Sequence, residues 1–189
     1  MDASGLYVDP DFPACPESIF HSWPVPAEME WKRASELSKK PCLIKGSASR
    51  FDINQGSLGN CWFLAAFSSL TMNKKLLKAV MPEGQDFDSN YTGQFQFNFW
   101  RYGAWETVVI DDYLPVQDGQ LAFLHSDCPD EFWVALVEKA YAKLFGSYQA
   151  LDGGSALEAM VDFTGGLSEV VMTNSEEISR KLLLQAKKR

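Results

Sequence analysis

The chain has 189 residues, with 17 lysines and arginines against 25 aspartates and glutamates, and a formal net charge of −8. Hydrophobic residues make up 46% of it and aromatic residues 13%, which is enough to bury a core and excludes wholesale disorder. The acidic balance argues against binding nucleic acid or an anionic membrane through bulk positive charge. Because no segment approaches the ~20 apolar residues of a membrane span and the first residues lack a secretory signal, we expect a cytoplasmic protein.

The cysteines are far apart in the sequence and form no C-x-x-C pair. This spacing predicts neither a zinc site nor a disulfide scaffold. Reduced thiols are typical of the cytoplasm, which agrees with the expected location. The four cysteines are Cys15, Cys42, Cys61 and Cys128.

The chain divides into three parts by composition. Residues 1–45 hold six of the nine prolines and predict an irregular N-terminal arm that packs on the core, interrupted by one helix from Pro26 to Lys40. Residues 46–170 form the predicted core subdomain. Residues 171–189 predict a C-terminal helix, because Asn174 and Glu177 have the spacing of a capping box and three basic residues follow at the end.

The core alternates between helical and strand patterns. Helical periods predict helices over residues 61–71, 73–80, 131–145 and 155–163, the first of them apolar on nearly every face and therefore buried. Phe95, Phe97 and Phe99 alternate with polar residues, which predicts one strand of a hairpin that returns over residues 105–110. Asp118-Gly119 predicts a second hairpin turn. The sequence therefore predicts an α+β fold with a central buried helix and a small antiparallel sheet.

Cys61 is the strongest candidate for chemistry. It lies at the predicted start of the buried helix, where the helix dipole and unpaired amide groups favour a thiolate. Gln55, six residues earlier in a glycine-containing loop, can bring its side-chain amide to the same point. Together with the Cys61 N–H it would make the two donors of an oxyanion hole.

The ordinary alternative is that Cys61 is a small buried core residue and that Gln55 only satisfies loop amides. We favour the nucleophile because glutamine, two glycines, cysteine and tryptophan occupy fixed places in one eight-residue pattern, residues 55–62. A glycine-rich turn directly before a helix start suits a catalytic loop.

Residues 55–66 resemble the nucleophile segment of the calpains, calcium-dependent cysteine proteases that are distantly similar to papain. The resemblance extends from about residue 6 to 170 and implies the first, left-hand helical subdomain of a papain-like protease core. Further blocks that resemble calpains are residues 8–13, 30–33, 109–115, 131–143 and 162–166.

The resemblance assigns a role to six residues. It implies that Cys61 is the nucleophile and Gln55 the oxyanion donor. It also implies one Ca²⁺ ion, bound by backbone carbonyls and by two carboxylates, a mixture of hard oxygen ligands that suits this ion. The implied calcium ligands are the carbonyls of Ile44 and Gly46 and the side chains of Asp52 and Glu131.

Two positions depart from the calpain pattern. The loop between Gly46 and Asp52 is one residue longer than usual, which predicts weak calcium binding. Asn60 stands where an aspartate commonly precedes the cysteine. We expect Asn60 to cap the helix and the chemistry of Cys61 to survive the exchange.

The sequence lacks a clear catalytic base. A thiol protease needs an imidazole beside the thiolate and an asparagine to orient it. Of the two histidines, His21 lies in the arm and His125 in a segment that resembles a non-catalytic calpain stretch. In calpains the base belongs to a second subdomain, so we expect this chain to be the nucleophile half and to be inactive alone.

The expected function is that of a calcium-dependent cysteine endopeptidase that cleaves cytoplasmic proteins through a Cys61 thioester. Its expected partners are protein substrates, the second protease subdomain, and a calpain small subunit or inhibitor protein. Two alternatives stay open. One is a non-catalytic module that binds calcium or a protein, and the other is a transglutaminase-like acyltransferase, against which the placement of Gln55 argues.

Overall fold

The computed structural model describes residues 1–46, 53–88 and 90–170. Over these residues the chain has a mixed α+β fold, as the sequence predicts, and none of its helices is long and apolar enough to cross a membrane. The predicted C-terminal helix over residues 171–189 lies outside the described residues. The helices are α1 (Pro16–Ile19), α2 (Ala34–Leu37), α3 (Cys61–Leu70), α4 (Lys74–Val80), α5 (Trp133–Phe145) and α6 (Ala156–Thr164).

The strands lie in three small antiparallel sheets. One has the order β1-β5-β6, and the other two are the pairs β2-β7 and β3-β4. Both predicted hairpins are confirmed, and each turn has two residues with positive φ: Tyr102-Gly103 in one and Asp118-Gly119 in the other. The strands are β1 (Met29–Arg33), β2 (Ile53–Asn54), β3 (Gln94–Arg101), β4 (Ala104–Asp111), β5 (Tyr113–Gln117), β6 (Gln120–Leu121) and β7 (His125–Ser126).

The helix predicted from Pro26 to Lys40 is wrong in its first half. Residues 29–33 form strand β1, paired along its length with β5, and only Ala34–Leu37 is helical. The Glu36 carboxylate accepts a hydrogen bond from the Arg33 N–H at 2.8 Å, which closes the first turn of α2 at its start. Pairing with a distant strand thus overrides the local helical pattern.

An aromatic cluster fixes the central helix α3. Phe63 and Phe67 on its underside are fully buried. The Phe63 ring centroid lies 4.9 Å from that of Tyr141 on α5, and the Phe67 centroid lies 5.6 Å from that of Phe163 on α6. With this face buried, the opposite face of α3, which includes Cys61, is exposed.

The N-terminal arm is held by ion pairs as well as by apolar packing. Lys143 on α5 bonds both carboxylate oxygens of the buried Asp9 at 2.8 Å. The Arg33 side chain donates to Asp2 at 2.9 Å and to the Tyr7 carbonyl at 2.8 Å. The first residues of the chain are thereby tied to the core elements that follow.

Arg33 also forms a buried ion pair with Asp112. The side chains are 5% and 0% exposed, and the Tyr91 hydroxyl donates to the same carboxylate at 2.5 Å. Burial and this hydrogen bond raise the pKa of Tyr91 above its ordinary value. The pair therefore replaces the hydration that both charges lose on folding, and the loss of one partner leaves the other buried without its main counter-charge.

We predict that Asp112→Asn lowers the free energy of unfolding by about 3 kcal/mol, because a buried pair that loses one partner is strongly destabilised. Glu30→Gln is the matched control, since it removes a carboxylate from the exposed pair of Glu30 with Lys32. That pair is screened by solvent, so the control should leave the stability nearly unchanged. Urea-induced unfolding measures both. Equal stability of the two variants would contradict the role assigned to the Arg33 pair.

Candidate active site

Cys61 is the first residue of α3, and its side chain is exposed. The first helical hydrogen bond runs from the Leu64 N–H to the Asn60 carbonyl at 3.1 Å. Asn60 occupies the cap position, but its side chain makes no capping hydrogen bond, so the expectation of side-chain capping was wrong. The Asn60 side chain therefore leaves the amides of the first turn available to a charge that forms beside Cys61.

The side chain of Asn60 points instead into the core, toward Glu138 on α5. Its amide nitrogen donates to Glu138 Oε1 at 2.5 Å, and the Leu124 N–H donates to Glu138 Oε2 at 2.9 Å. Both side chains are buried, and burial raises the pKa of Glu138 to about 8. Sequence analysis missed Glu138, because its place in the α5 pattern does not show that it faces Asn60, the residue before Cys61.

Gln55 lies in the loop that joins strand β2 to helix α3. Its side-chain amide nitrogen donates to the Leu58 carbonyl at 2.7 Å, which uses one of the two N–H donors of the amide. The loop sits tightly on residues 122–123: a Cβ at Gly56 would come within 2.3 Å of the Ala122 carbonyl oxygen. Only glycine fits at position 56, and the close contact of its backbone with Ala122 fixes the position of the loop directly after Gln55.

A second loop, after α5, packs on the nucleophile segment. The Gly59 N–H donates to Asp152 at 2.9 Å, and the Trp62 indole N–H donates to the Leu151 carbonyl at 2.9 Å. A Cβ at Gly154 would come within 2.4 Å of the Trp62 ring, so the glycine allows the loop to lie flat against the indole. The sequence gave no sign of this contact.

The two histidines are engaged elsewhere. His21 Nδ1 lies 3.2 Å from the Ser147 hydroxyl, and His125 Nδ1 lies 2.9 Å from the Phe123 carbonyl. His125 belongs to strand β7 and pairs there with Asn54. Within the described residues, neither of these imidazole contacts involves Cys61.

The proposed calcium ligands lie partly within the described residues. Glu131 is 5% exposed, and its carboxylate accepts hydrogen bonds from the Lys45 N–H at 2.7 Å and from the Ser126 hydroxyl at 2.5 Å. Since Lys45 is the residue between Ile44 and Gly46, the loop that carries both carbonyls lies beside this carboxylate. Asp52 falls outside the described residues.

The chemistry of this donor set fits a hard cation. A carboxylate and neighbouring backbone carbonyls are the ligand types that Ca²⁺ prefers. In the ranges 1–46, 53–88 and 90–170, this site included, no group of three or more His, Cys, Asp or Glu side chains is arranged to hold a metal ion. With Asp52 outside these ranges, the structure describes only part of the implied ligand set, namely Glu131 and the loop of Ile44 and Gly46 beside it.

Comparison with known proteins identifies the family of this chain. The family model described as calpain family cysteine protease matches residues 7–189. Mouse calpain-8 is 54% identical over 174 residues, covering 89% of this chain and 25% of the relative. Mouse calpain-9 is 53% identical over 169 residues, and calpain clp-1 of Caenorhabditis elegans is 50% identical over 171. The chain thus spans about a quarter of the length of these curated relatives, and it belongs to the calpain family of cysteine proteases.

Proposed function

We propose that this chain supplies the nucleophile half of a calcium-dependent cysteine endopeptidase that cleaves cytoplasmic proteins. The observation that carries the proposal is the placement of Cys61: an exposed thiol on the first residue of a helix whose other face is buried. The neighbouring residues on both sides are held by hydrogen bonds to other parts of the fold. Such a rigid, exposed thiol at a helix start suits nucleophilic catalysis.

The reaction that these groups support is acyl transfer. The Cys61 thiolate adds to the carbonyl carbon of a peptide bond, and the carbonyl oxygen takes the negative charge. In this proposal the Cys61 N–H and the Gln55 amide donate to that oxygen and stabilise its charge. Collapse of the intermediate breaks the C–N bond, the amine leaves with a proton, and water then hydrolyses the Cys61 thioester.

The proton for the leaving amine must come from an imidazole that the described residues do not present to Cys61. We assign that base to the second protease subdomain, the main partner of this chain. A small subunit or inhibitor protein of the calpain type would be a further partner. Protein substrates would bind across the two subdomains, so one half alone lacks both the base and part of the cleft.

Calcium is the proposed cofactor, held by the carbonyls of Ile44 and Gly46 and by the carboxylates of Asp52 and Glu131. When bound, the ion would supply positive charge beside the loop that carries Ile44 and Gly46. The bond from the Lys45 N–H to Glu131 supports this assignment, because it keeps the loop beside the carboxylate.

We predict that Cys61 is the thiol of this chain that iodoacetamide alkylates fastest, because the other three cysteines are only partly exposed. Cys42 is the sharpest internal comparison: burial raises the pKa of its thiol, and its sulfur lies 3.4 Å from the Asp130 carbonyl oxygen. Mass spectrometry after short exposures gives the rate at each cysteine. A chain in which Cys42 or Cys128 reacts before Cys61 contradicts the proposed nucleophile.

We predict that the chain alone cleaves no peptide substrate, since the leaving amine has no proton donor. Addition of a separately made second subdomain with its histidine should give cleavage in calcium. Cys61→Ser should abolish that cleavage. A fluorogenic peptide assay measures all three. Cleavage by the chain alone that His125→Ala removes would place the base within this sequence and overturn the assignment.

We predict weak calcium binding that Asp52→Ala and Glu131→Gln each reduce, because either change removes charge that replaces the water shell of the ion. Glu106→Gln, on the exposed face of β4, is the control and should bind as the wild type does. Titration calorimetry gives the affinities, and far-UV circular dichroism checks the fold. Equal heats in all four proteins would refute the ligands.

A further inference from the structure

Glu138 is a buried carboxyl group that the proposed chemistry does not use. It projects from α5, is 1% exposed, and contacts two different elements through its two oxygens. Oε1 accepts from the Asn60 side chain, directly before the nucleophile, and Oε2 accepts from the Leu124 N–H. One side chain therefore ties the start of α3 to the segment before β7.

The Leu124 end of this tie leads to the oxyanion loop. Residues 122–123 form the surface on which Gly56 rests, and the Ser57 N–H donates to the Ala122 carbonyl at 3.1 Å. The segment that Glu138 holds by its Leu124 amide thus also supports the loop that carries Gln55. Glu138 thus contacts a neighbour of each proposed oxyanion donor: Asn60, directly before the Cys61 N–H, and Leu124, next to the residues that support the Gln55 loop.

Burial of the Glu138 carboxyl group costs folding free energy. Burial disfavours its charged form, and its two hydrogen bonds only partly offset that cost. An apolar side chain would avoid the cost but would leave the amide nitrogen of Asn60 and the Leu124 N–H without their partner. What the carboxyl group adds is the fixed orientation of those two donors.

We propose that Glu138 is a positioning residue of the active site, which holds Asn60 and Leu124 at a fixed separation and so keeps Cys61 in register with the Gln55 loop. The proposal rests on the proposed role of Cys61 as nucleophile. Glu138 does not touch the reacting atoms. It acts through the residue before the nucleophile and through the segment under the oxyanion loop.

Protonation changes what this tie can do. Ionised Glu138 accepts hydrogen bonds from both Asn60 and Leu124, whereas protonated Glu138 has one hydrogen to donate. The Asn60 Oδ1 is buried and has no hydrogen-bond partner among the described residues. After a flip of the Asn60 amide, this oxygen can accept the hydrogen of protonated Glu138. Outside α5, Tyr148 is a buried titratable group close enough to feel the charge of Glu138, and burial and the charges of Glu138 and Asp111 raise its pKa. On α5 itself, Lys139 is engaged by Asp111.

The raised pKa of Glu138 sets the sign of its pH dependence. Its folded-state value of about 8 exceeds the ordinary value of 4.5, so the folded chain binds more protons than the unfolded chain between these limits. The contribution of Glu138 to stability is complete below pH 4.5 and is lost as the pH rises through 8. Glu138→Gln removes this dependence, which reports that the carboxyl group is buried as described.

The test is the alkylation rate of Cys61 relative to Cys15 in the same molecule, measured at pH 9, above the Glu138 pKa of about 8, so that the carboxyl group is mostly ionised. It compares the wild type, Glu138→Gln and the control Glu106→Gln. Glutamine keeps the volume but can accept from only one of the two donors, so the ratio should fall about tenfold in Glu138→Gln and stay unchanged in the control. Amide hydrogen exchange at Leu124 should become faster in the same variant. The free energy of unfolding, measured from pH 5 to 9, should lose in Glu138→Gln the part of its pH dependence that Glu138 causes in the wild type.

An unchanged ratio in folded Glu138→Gln overturns the positioning role, even if that variant is less stable, because a purely structural role alters stability alone. If Glu138→Gln does not fold, Asn60→Ala decides, since it breaks the other end of the tie: a similar fall supports the proposal and an unchanged ratio overturns it. A wild type in which Cys61 is not the fastest thiol contradicts the proposed function separately.

Discussion

The burial of one aromatic face of helix α3 is the constraint on which the rest of the site depends. Phe63 and Phe67 pack against Tyr141 and Phe163, and each buried ring of this kind contributes about 2 kcal/mol or more. This packing fixes the rotation of α3 about its axis. Because the buried face is fixed, the first residue of the helix is fixed as well, and Cys61 faces outward.

Polar contacts then determine what surrounds that thiol. The Gly59 and Trp62 donors bond to the loop after α5, and Asn60 bonds to Glu138 beneath the helix start. The Asn60–Glu138 bond is buried, where a hydrogen bond is weakly screened and costly to leave unmade. Gly59, Asn60 and Trp62, which flank Cys61, are thus each hydrogen-bonded to a distant part of the chain. These bonds limit the movement of the backbone around Cys61.

Local patterns in the sequence predicted the elements that carry the site, because those elements follow from short-range periodicity. Helix α3 begins at Cys61, and alternating phenylalanines form β3, as predicted. The errors came where long-range contacts decide. Strand β1 formed because β5 lies beside it, and Asn60 turned inward because Glu138, 78 residues later, offers a carboxylate. The residue pattern of a single segment cannot reveal a partner that lies far away in the sequence.

The catalytic residues stay predictions that the geometry supports to different degrees. Cys61 has the expected place and exposure, while the Gln55 amide bonds to Leu58 in the absence of substrate. That bond uses one N–H of the amide, and the account requires the second N–H to donate to the carbonyl oxygen of a bound substrate. The two donors and the thiol must converge on a substrate for the account to hold.

The most direct test is a crystal structure of this chain after Cys61 has reacted with a peptidyl chloromethyl ketone, whose ketone oxygen stands in for the oxyanion. The account predicts a thioether at Cys61 with the ketone oxygen within hydrogen-bond distance of the Cys61 N–H and the Gln55 amide. A ketone oxygen turned to solvent, with Gln55 still bonded to Leu58 alone, would contradict it.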